Sequence, residues 1–375
     1  MKTAFFHDEK CLWHIGQLHA GVFPVGGWVQ PPNAGGLAES PDSKRRLKSL
    51  LEVSGLAAHL QIRSAPLADE AYMRKVHSAS YLQAFKALSD GEGGRVGEQA
   101  TFGSGGYEIA RLSAGLAIDA VDFVLRGEAR NAYALSRPPG HHCLPDEGMG
   151  FCLLANGSIA VEAAISRHKL SRVAIVDWDV HHGNGTERIF IDRPDVFTIS
   201  LHQENCFPLS SGSVKDRGIG KGEGYNLNIP LLPGGGEQSY QDAFNLLVGP
   251  ALRAYRPELI VVASGYDASG LDPLARMLLP SETFRWMMAQ VMQIANEVCH
   301  SRVAVIHEGG YSECYVPFCG HALVEQLSGQ KTEVVDPSLA FIRGQQPESR
   351  FIALQRKLLE EQAASHKFTA TSRGA

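Results

Sequence analysis

From residue 131 onward, short runs of Val, Ile and Ala alternate with longer segments of helical period, and few architectures can absorb that pattern. Strands that are apolar on both faces need cover on both sides, so the expected fold is α/β, a mostly parallel sheet with helices on both faces. Strands are expected at 131–136, 172–176, 196–201, 259–263 and 303–306, and helices between them at 156–169, 240–255 and 281–299. Upstream, 44–60 and 107–125 also read as helices, the second through Ile109, Leu112, Leu116, Val121 and Val124. Two Gly/Pro-rich stretches, 16–41 and 90–106, are too long for ordinary connections and are expected to be functional loops. Leu354, Leu358 and Leu359 mark a final helix in the tail 348–375, which frays into a polar end from Ala363. With no internal repeat, residues 1–375 are expected to form a single domain.

Charge and cysteine usage remove several functions. A net charge of −5, from 35 basic and 40 acidic residues, leaves no electrostatic footprint for a nucleic acid. Residues 1–10 lack the apolar centre of a signal peptide and no later stretch is apolar enough to span a bilayer, so no membrane partner and a cytoplasmic location are expected. Seven scattered cysteines without a C-x-x-C pair indicate neither a disulfide framework nor a thiolate metal site. Any metal must use other ligands.

In an open parallel sheet the ligand crevice lies at the carboxyl ends of the strands, so the residues just after each run are the first to weigh. R-P-P-G-H-H supplies His141 and His142; D-W-D-V-H-H-G-N-G-T supplies Asp177, Asp179, His181, His182 and Asn184. His202 and Gln203 follow the third run, Asp267 the fourth, and His307, Glu308 and Tyr311 the fifth. In extended geometry D-x-D-x-H projects Asp177, Asp179 and His181 to one side. Zinc accepts His nitrogen and Asp oxygen, and a catalytic zinc needs three protein ligands, which Asp179, His181 and Asp267 can provide. Asp177 is then free to orient a neighbouring imidazole. A D-x-D after a strand equally suits magnesium, a tandem histidine pair can be structural, and H-E-G-G-Y can be a tight turn with Tyr311 as packing; His181 and the distant Asp267 tilt the set toward zinc.

Taken together, E-S-P-D-S-K-R-R, R-P-P-G-H-H, G-M-G-F-C, D-W-D-V-H-H-G-N-G-T, T-I-S-L-H, G-Y-D-A with D-P-L-A, and H-E-G-G-Y resemble the histone deacetylase family over about residues 39–329. The chain is most similar to class II-like bacterial histone deacetylase-like amidohydrolases, because Asn184 stands where class I members carry Asp. The resemblance implies an arginase-like fold and zinc-dependent hydrolysis of an acyl-lysine amide, in a protein, a peptide or another acylated amine. It implies Asp179, His181 and Asp267 as zinc ligands, His141 and His142 as the acid–base pair, and Tyr311 as the phenol that polarises the carbonyl. Zinc would lower the pKa of its water toward roughly 7. Asp177 would favour the charged form of His141 and Asn184 would leave His142 unbiased, making His142 the main base and later acid.

Family likeness also implies potassium at an inner site, Asp177, Ser200 and Leu201 with the carbonyls of Asp179 and His181, and at an outer site, Phe190, Arg193, Val196 and Tyr225. Gly150, Phe151 and Phe207 match the walls of an acyl-lysine channel. Leu274 stands where polyamine-selective relatives carry Glu, Leu271 replaces the usual Gly before D-P, and the 16–41 loop is expected over part of the opening. Hydroxamates are expected inhibitors, and a homo-oligomer is compatible with the pattern. Competing readings are an acetylpolyamine or other small-molecule deacetylase, for which Glu98 could supply the rim acid, and a non-catalytic acyl-lysine binder.

Overall fold

The apolar runs become the centre of one sheet of eight parallel strands: β1 (Ala4–Phe6), β2 (Gln61–Arg63), β3 (Ala132–Ala134), β4 (Val173–Asp177), β5 (Val196–Gln203), β6 (Asn226–Leu231), β7 (Leu259–Ser264) and β8 (Val303–His307). Across the sheet they lie in the order β6-β5-β4-β7-β8-β3-β1-β2. The computed structural model describes residues 1–16 and 38–366. Every residue of β4, β5, β7 and β8 is buried.

The period-two alternation of the strands divides the core. Ala174, Val176, Val262 and Val305 pack with Leu47, Phe244, Met287 and Leu323, from helices on one face. Val173, Ile175, Val261 and Ile306 pack with Phe85, Ala114, Val121 and Ile159, from helices on the other. Each buried Val or Ile is worth about 1.5–3 kcal/mol relative to exposure, which fixes the register of the central strands. The fold is therefore α/β, with helices on both faces of a parallel sheet.

Several boundaries differ from expectation. The helix expected at 44–60 is Asp42–Val53, followed by a 3₁₀ turn at Leu56–His59. Gly55 intervenes at φ 80°, a left-handed conformation that ends a helix at little cost for glycine. The segment expected at 240–255 begins earlier, at Glu237, and passes through a π turn at Phe244–Val248 before Gly249–Tyr255. Pro250 follows that turn; it has no N–H for the regular ladder, and a widened turn accommodates the loss. The 90–106 stretch is not an open loop: Gly93–Arg95 and Thr101–Gly103 pair antiparallel, and Gly97–Glu98 pairs with Gly148–Met149. The tail forms a helix over Ser349–Ser365. Most of the expected 16–41 loop and the tail beyond 366 lie outside the described residues.

Chain order places the crevice. From β4 the chain proceeds to β5 and β6 on one side, then returns to β7 and β8 on the other. The β4/β7 boundary is thus a topological switch point, where neighbouring connections diverge and leave a gap beyond the carboxyl ends.

Candidate active site

Asp177 ends β4, and the next residues do not continue as a strand. The extended-geometry expectation for D-x-D-x-H is corrected here: side chain-to-backbone bonds gather the residues instead. Asp177 Oδ1 accepts the Asp179 N–H at 3.0 Å and Asp179 Oδ1 accepts the His181 N–H at 3.0 Å, folding the chain over its own carboxylates. Asp267, beyond β7, is fixed by the Val180 N–H, 2.8 Å from its Oδ1.

The ligand atoms of Asp179, His181 and Asp267 all lie within 4.8 Å of one another, and among the described residues no other such group of three occurs. His181 Nδ1 is 3.1 Å from Asp179 Oδ1 and 3.3 Å from Asp267 Oδ2. Both carboxylates are fully buried, and Asp267 Oδ2 has no hydrogen bond. Burial and the charge of Asp179 push Asp267 up to about 6. Two buried carboxylates facing one imidazole, with an oxygen unsatisfied, are a donor set that fits a divalent cation of the N/O-binding kind.

The histidine pair sits beside this group. Glu308 Oε2 accepts N–H bonds from Gly140 at 2.6 Å and His141 at 3.1 Å, holding the turn that presents both rings. His141 Nδ1 is 3.0 Å from Asp177 Oδ2, and His142 Nδ1 is 2.7 Å from Asn184 Oδ1. Burial lowers both imidazoles, but Asp179 and Asp177 outweigh it at His141 and hold it at about 10. At His142 burial is joined by the charges of His141 and His181, leaving it well below its ordinary value. Asn184 Oδ1 can only accept, so His142 carries its proton on Nδ1 and presents Nε2 as a lone pair.

A pocket of about 180 Å³ leads down to these groups. Its lining includes His142, Gly150, Phe151, His181, Phe207, Leu274 and Tyr311. Phe207 stands edge-on to His142, with centroids 5.0 Å apart, and Phe151 packs against Tyr311 at 5.7 Å. Gly150 has φ 52°, and a Cβ there would fall 2.5 Å from His142 Cδ2 and 2.8 Å from Phe207, so only glycine fits. Gly309 approaches the ligand group as closely: its Cβ would lie 2.3 Å from Asp267 Oδ2. Gln99 and Cys206 also line the pocket and escape a reading of strand ends, because both lie on connections. Asp272, whose motif is visible in the sequence, holds the Tyr311 N–H, a partnership no linear pattern reveals.

The residues expected around potassium lie on β4, β5 and the connections beside them. Asp177 pairs in register with Ser200, whose Oγ meets His202 Nδ1 at 2.9 Å; Leu201 follows on β5. In the outer set, the Phe190 carbonyl accepts the Arg193 N–H and the Tyr225 carbonyl accepts the Thr198 N–H, while Val196 opens β5. The Arg193 guanidinium is paired with Asp195 and Glu162, which leaves only its main chain for a cation.

A buried carboxylate–imidazole centre beyond the carboxyl ends of a parallel sheet, under an aromatic-walled pocket, places the chain among the α/β enzymes that bind their ligands at the switch point. Among these the chain belongs to the histone deacetylase family, whose domain matches residues 37–327. It is 60% identical over 363 residues to the histone deacetylase-like amidohydrolase of Pseudomonas aeruginosa, covering 97% of this chain and 96% of the relative. Histone deacetylase 8 of Arabidopsis thaliana is 35% identical, over 84% of this chain and 86% of the relative. A crystal structure of the HDA15 HD domain is similar with a TM-score of 0.80 at 29% identity, covering 96% of this chain and 99% of that one. Among the described residues no helix is long and apolar enough to cross a membrane.

Proposed function

We propose that this amide hydrolase is zinc-dependent and removes acyl groups from the ε-amine of lysine in peptides or proteins. The observation that carries the reading is the convergence of Asp179, His181 and Asp267 within 4.8 Å at the base of the pocket that His142 and Tyr311 also line. Zinc held there supplies Lewis-acid polarisation of the amide carbonyl and brings the pKa of water toward neutrality.

The chain's own residues do the rest. His142 Nε2 accepts a proton from water as its oxygen adds to the carbonyl carbon, and the same nitrogen returns the proton to the amine as the C–N bond breaks. The products are a carboxylic acid and a free amine. His141, held charged by Asp177, keeps positive potential beside the carbon while it is tetrahedral. The Tyr311 hydroxyl donates to the carbonyl oxygen as that atom gains charge. Gly150, Phe151 and Phe207 leave a slot suited to an unbranched aliphatic linker, and Leu274 offers no carboxylate at the mouth for a second ammonium. The slot admits both kinds of linker, and Leu274 is the feature that favours acyl-lysine over acetylpolyamine. Potassium at Asp177, Ser200 and Leu201 would be structural; at the outer set, Phe190, Arg193, Val196 and Tyr225 would contribute carbonyls.

Purified enzyme tested on acetyl-lysine, longer-acyl and trifluoroacetyl-lysine peptides and on acetylated polyamines decides the substrate class. The highest kcat/KM is expected on an acyl-lysine peptide, and a hydroxamate is expected to compete with it. Preferential turnover of acetylpolyamines would replace this reading, and zinc-loaded protein that hydrolyses none of them would overturn it in favour of another small-molecule amide or a binding role. Asp179→Ala, His181→Ala or Asp267→Ala should each lose zinc and activity; full occupancy and normal turnover in all three would eliminate the site.

A further inference from the structure

The hydroxyl of Tyr311 is carried into the pocket by a short segment anchored on either side of Gly310 and Tyr311. Gly309 is fixed at both ends of its peptide unit: its N–H donates to Asp179 Oδ2 at 2.8 Å and its carbonyl accepts the Tyr266 N–H at 3.0 Å. Ser312 is fixed in turn, its carbonyl accepting the N–H groups of Tyr315 and Val316. Between these anchors stands Gly310 at φ 123°, a backbone region open to glycine alone, and then Tyr311. The Tyr311 N–H donates to Asp272 Oδ2 at 2.7 Å. That bond decides which way the backbone of Tyr311 faces, and therefore where its ring enters the pocket.

Asp272 comes from a different part of the fold, the excursion between β7 and the helix Ser281–Val298. The excursion is closed at its base by Gly270 N–H to Leu279 O and Leu279 N–H to Ala268 O, at 3.0 and 3.1 Å. It is tethered again where Gln203 Oε1 accepts the Arg276 N–H at 2.7 Å. The other oxygen of Asp272 accepts the N–H of Leu274 at 2.9 Å, and Leu274 lines the channel mouth. One carboxylate therefore joins the mouth to the tyrosine.

We propose that Asp272 is a positioning residue that sets the Tyr311 hydroxyl by holding its backbone N–H, and that the same carboxylate makes this placement depend on the position of Leu274 at the mouth. The inference rests on the reading of Tyr311 as the carbonyl's hydrogen-bond donor. A backbone that loses its acceptor leaves Gly310 free to rotate, and a donor displaced by about 1 Å forfeits much of its effect on the charge of the transition state. The Leu274 N–H at the mouth loses its acceptor at the same time, while the metal ligands and the aromatic walls Phe151 and Phe207 keep their own contacts.

The test is a double-mutant cycle on the zinc-loaded full-length protein with an acetyl-lysine peptide: Asp272→Ala, Tyr311→Phe and both together. Asp272→Ala should lower kcat by about 10- to 100-fold with KM changed less than about threefold and zinc content at the parent level. Added to Tyr311→Phe it should cost less than about twofold more, because the group it places is already gone. Asp272→Asn, whose amide oxygen can still accept one N–H, should retain an intermediate kcat, and it carries the cycle if the alanine variant does not fold. Hydroxamate affinity should fall by a similar factor in Asp272→Ala and Tyr311→Phe, a readout independent of turnover. Normal kcat in Asp272→Ala beside a crippled Tyr311→Phe would overturn the positioning role and leave the tyrosine's role standing, as would additive losses in the cycle. A Tyr311→Phe protein with full kcat would overturn both.

Discussion

Burial keeps the Tyr311 hydroxyl protonated, and the charges of Asp179 and Asp267 act in the same direction, so the phenol remains a donor throughout the working pH range. Tyr311→Phe removes that one oxygen and leaves the ring against Phe151 and His181. If the hydroxyl stabilises developing charge, kcat should fall by about 10²–10³-fold with metal content unchanged. A packing role would leave kcat near the parent value, so steady-state kinetics of folded, metal-loaded protein discriminates the two. Asp179, His181, Asp267, His141, His142 and Tyr311 stand out in the sequence as candidates because ionisable groups cluster within a few residues of the ends of buried apolar runs, and the fold gathers them around one pocket. The residues that hold them are less legible. Glu308 stands at a strand end, but the Gly140 and His141 N–H groups it captures lie 168 and 167 positions away, and only folding brings those groups together.

At the level of elements, the strands that lie within apolar runs were predictable, three-residue β3 among them, and β1, β2 and β6 were not. β1 and β2 have three residues each, too few to show a period, and β6 contains Pro230, which argues against a central strand and suits the sheet edge where it lies. The connection after β5 carries Phe207, and its shape is set by hydrogen bonds that sequence patterns do not encode. The His182 N–H donates to the Phe207 carbonyl at 3.1 Å, His182 Nδ1 meets Ser211 Oγ at 3.0 Å, and Ser211 Oγ donates to the Pro208 carbonyl at 2.8 Å. The Pro208 carbonyl can only accept, so the serine proton goes to it, and on the other side of the imidazole Glu187 lies 3.2 Å from His182 Nε2. Ser211→Ala should loosen this wall of the channel. The expected result is a KM for acetyl-lysine peptide raised roughly three- to tenfold, the worth of about one hydrogen bond, with metal content preserved and kcat less affected. An unchanged KM would show that Phe207 is held by packing alone.

Across the whole molecule, buried neutral histidines tie stability to pH. His77, 2% exposed, donates from Nδ1 to the Pro145 carbonyl and accepts the Ala155 N–H on Nε2, joining the turn after the histidine pair to the start of helix Asn156–His168. Burial pushes His77 from 6.5 down to about 4. Its folded value lies below its unfolded one, so its contribution, at most about 3 kcal/mol, is complete above pH 6.5 and is lost as pH falls through about 4. His7, pushed to about 4, and His202, to about 3, act in the same sense. Between pH 6.5 and 4 the unfolding temperature of His77→Gln, which cannot titrate, should therefore fall less than that of the parent protein; parallel curves for the two proteins would count against the assignment. The switch point between β4 and β7 bears on stability in another way. Val180 and Asp267 are separated by 87 positions, so an ion gripped by Asp179, His181 and Asp267 would close a long loop of chain. Closing that loop costs the unfolded polymer entropy that rises with the logarithm of its length, and the ion would serve as a removable cross-link. During synthesis no such cross-link can form until Asp267 has left the ribosome, so metal uptake would report that both halves of the sheet have met.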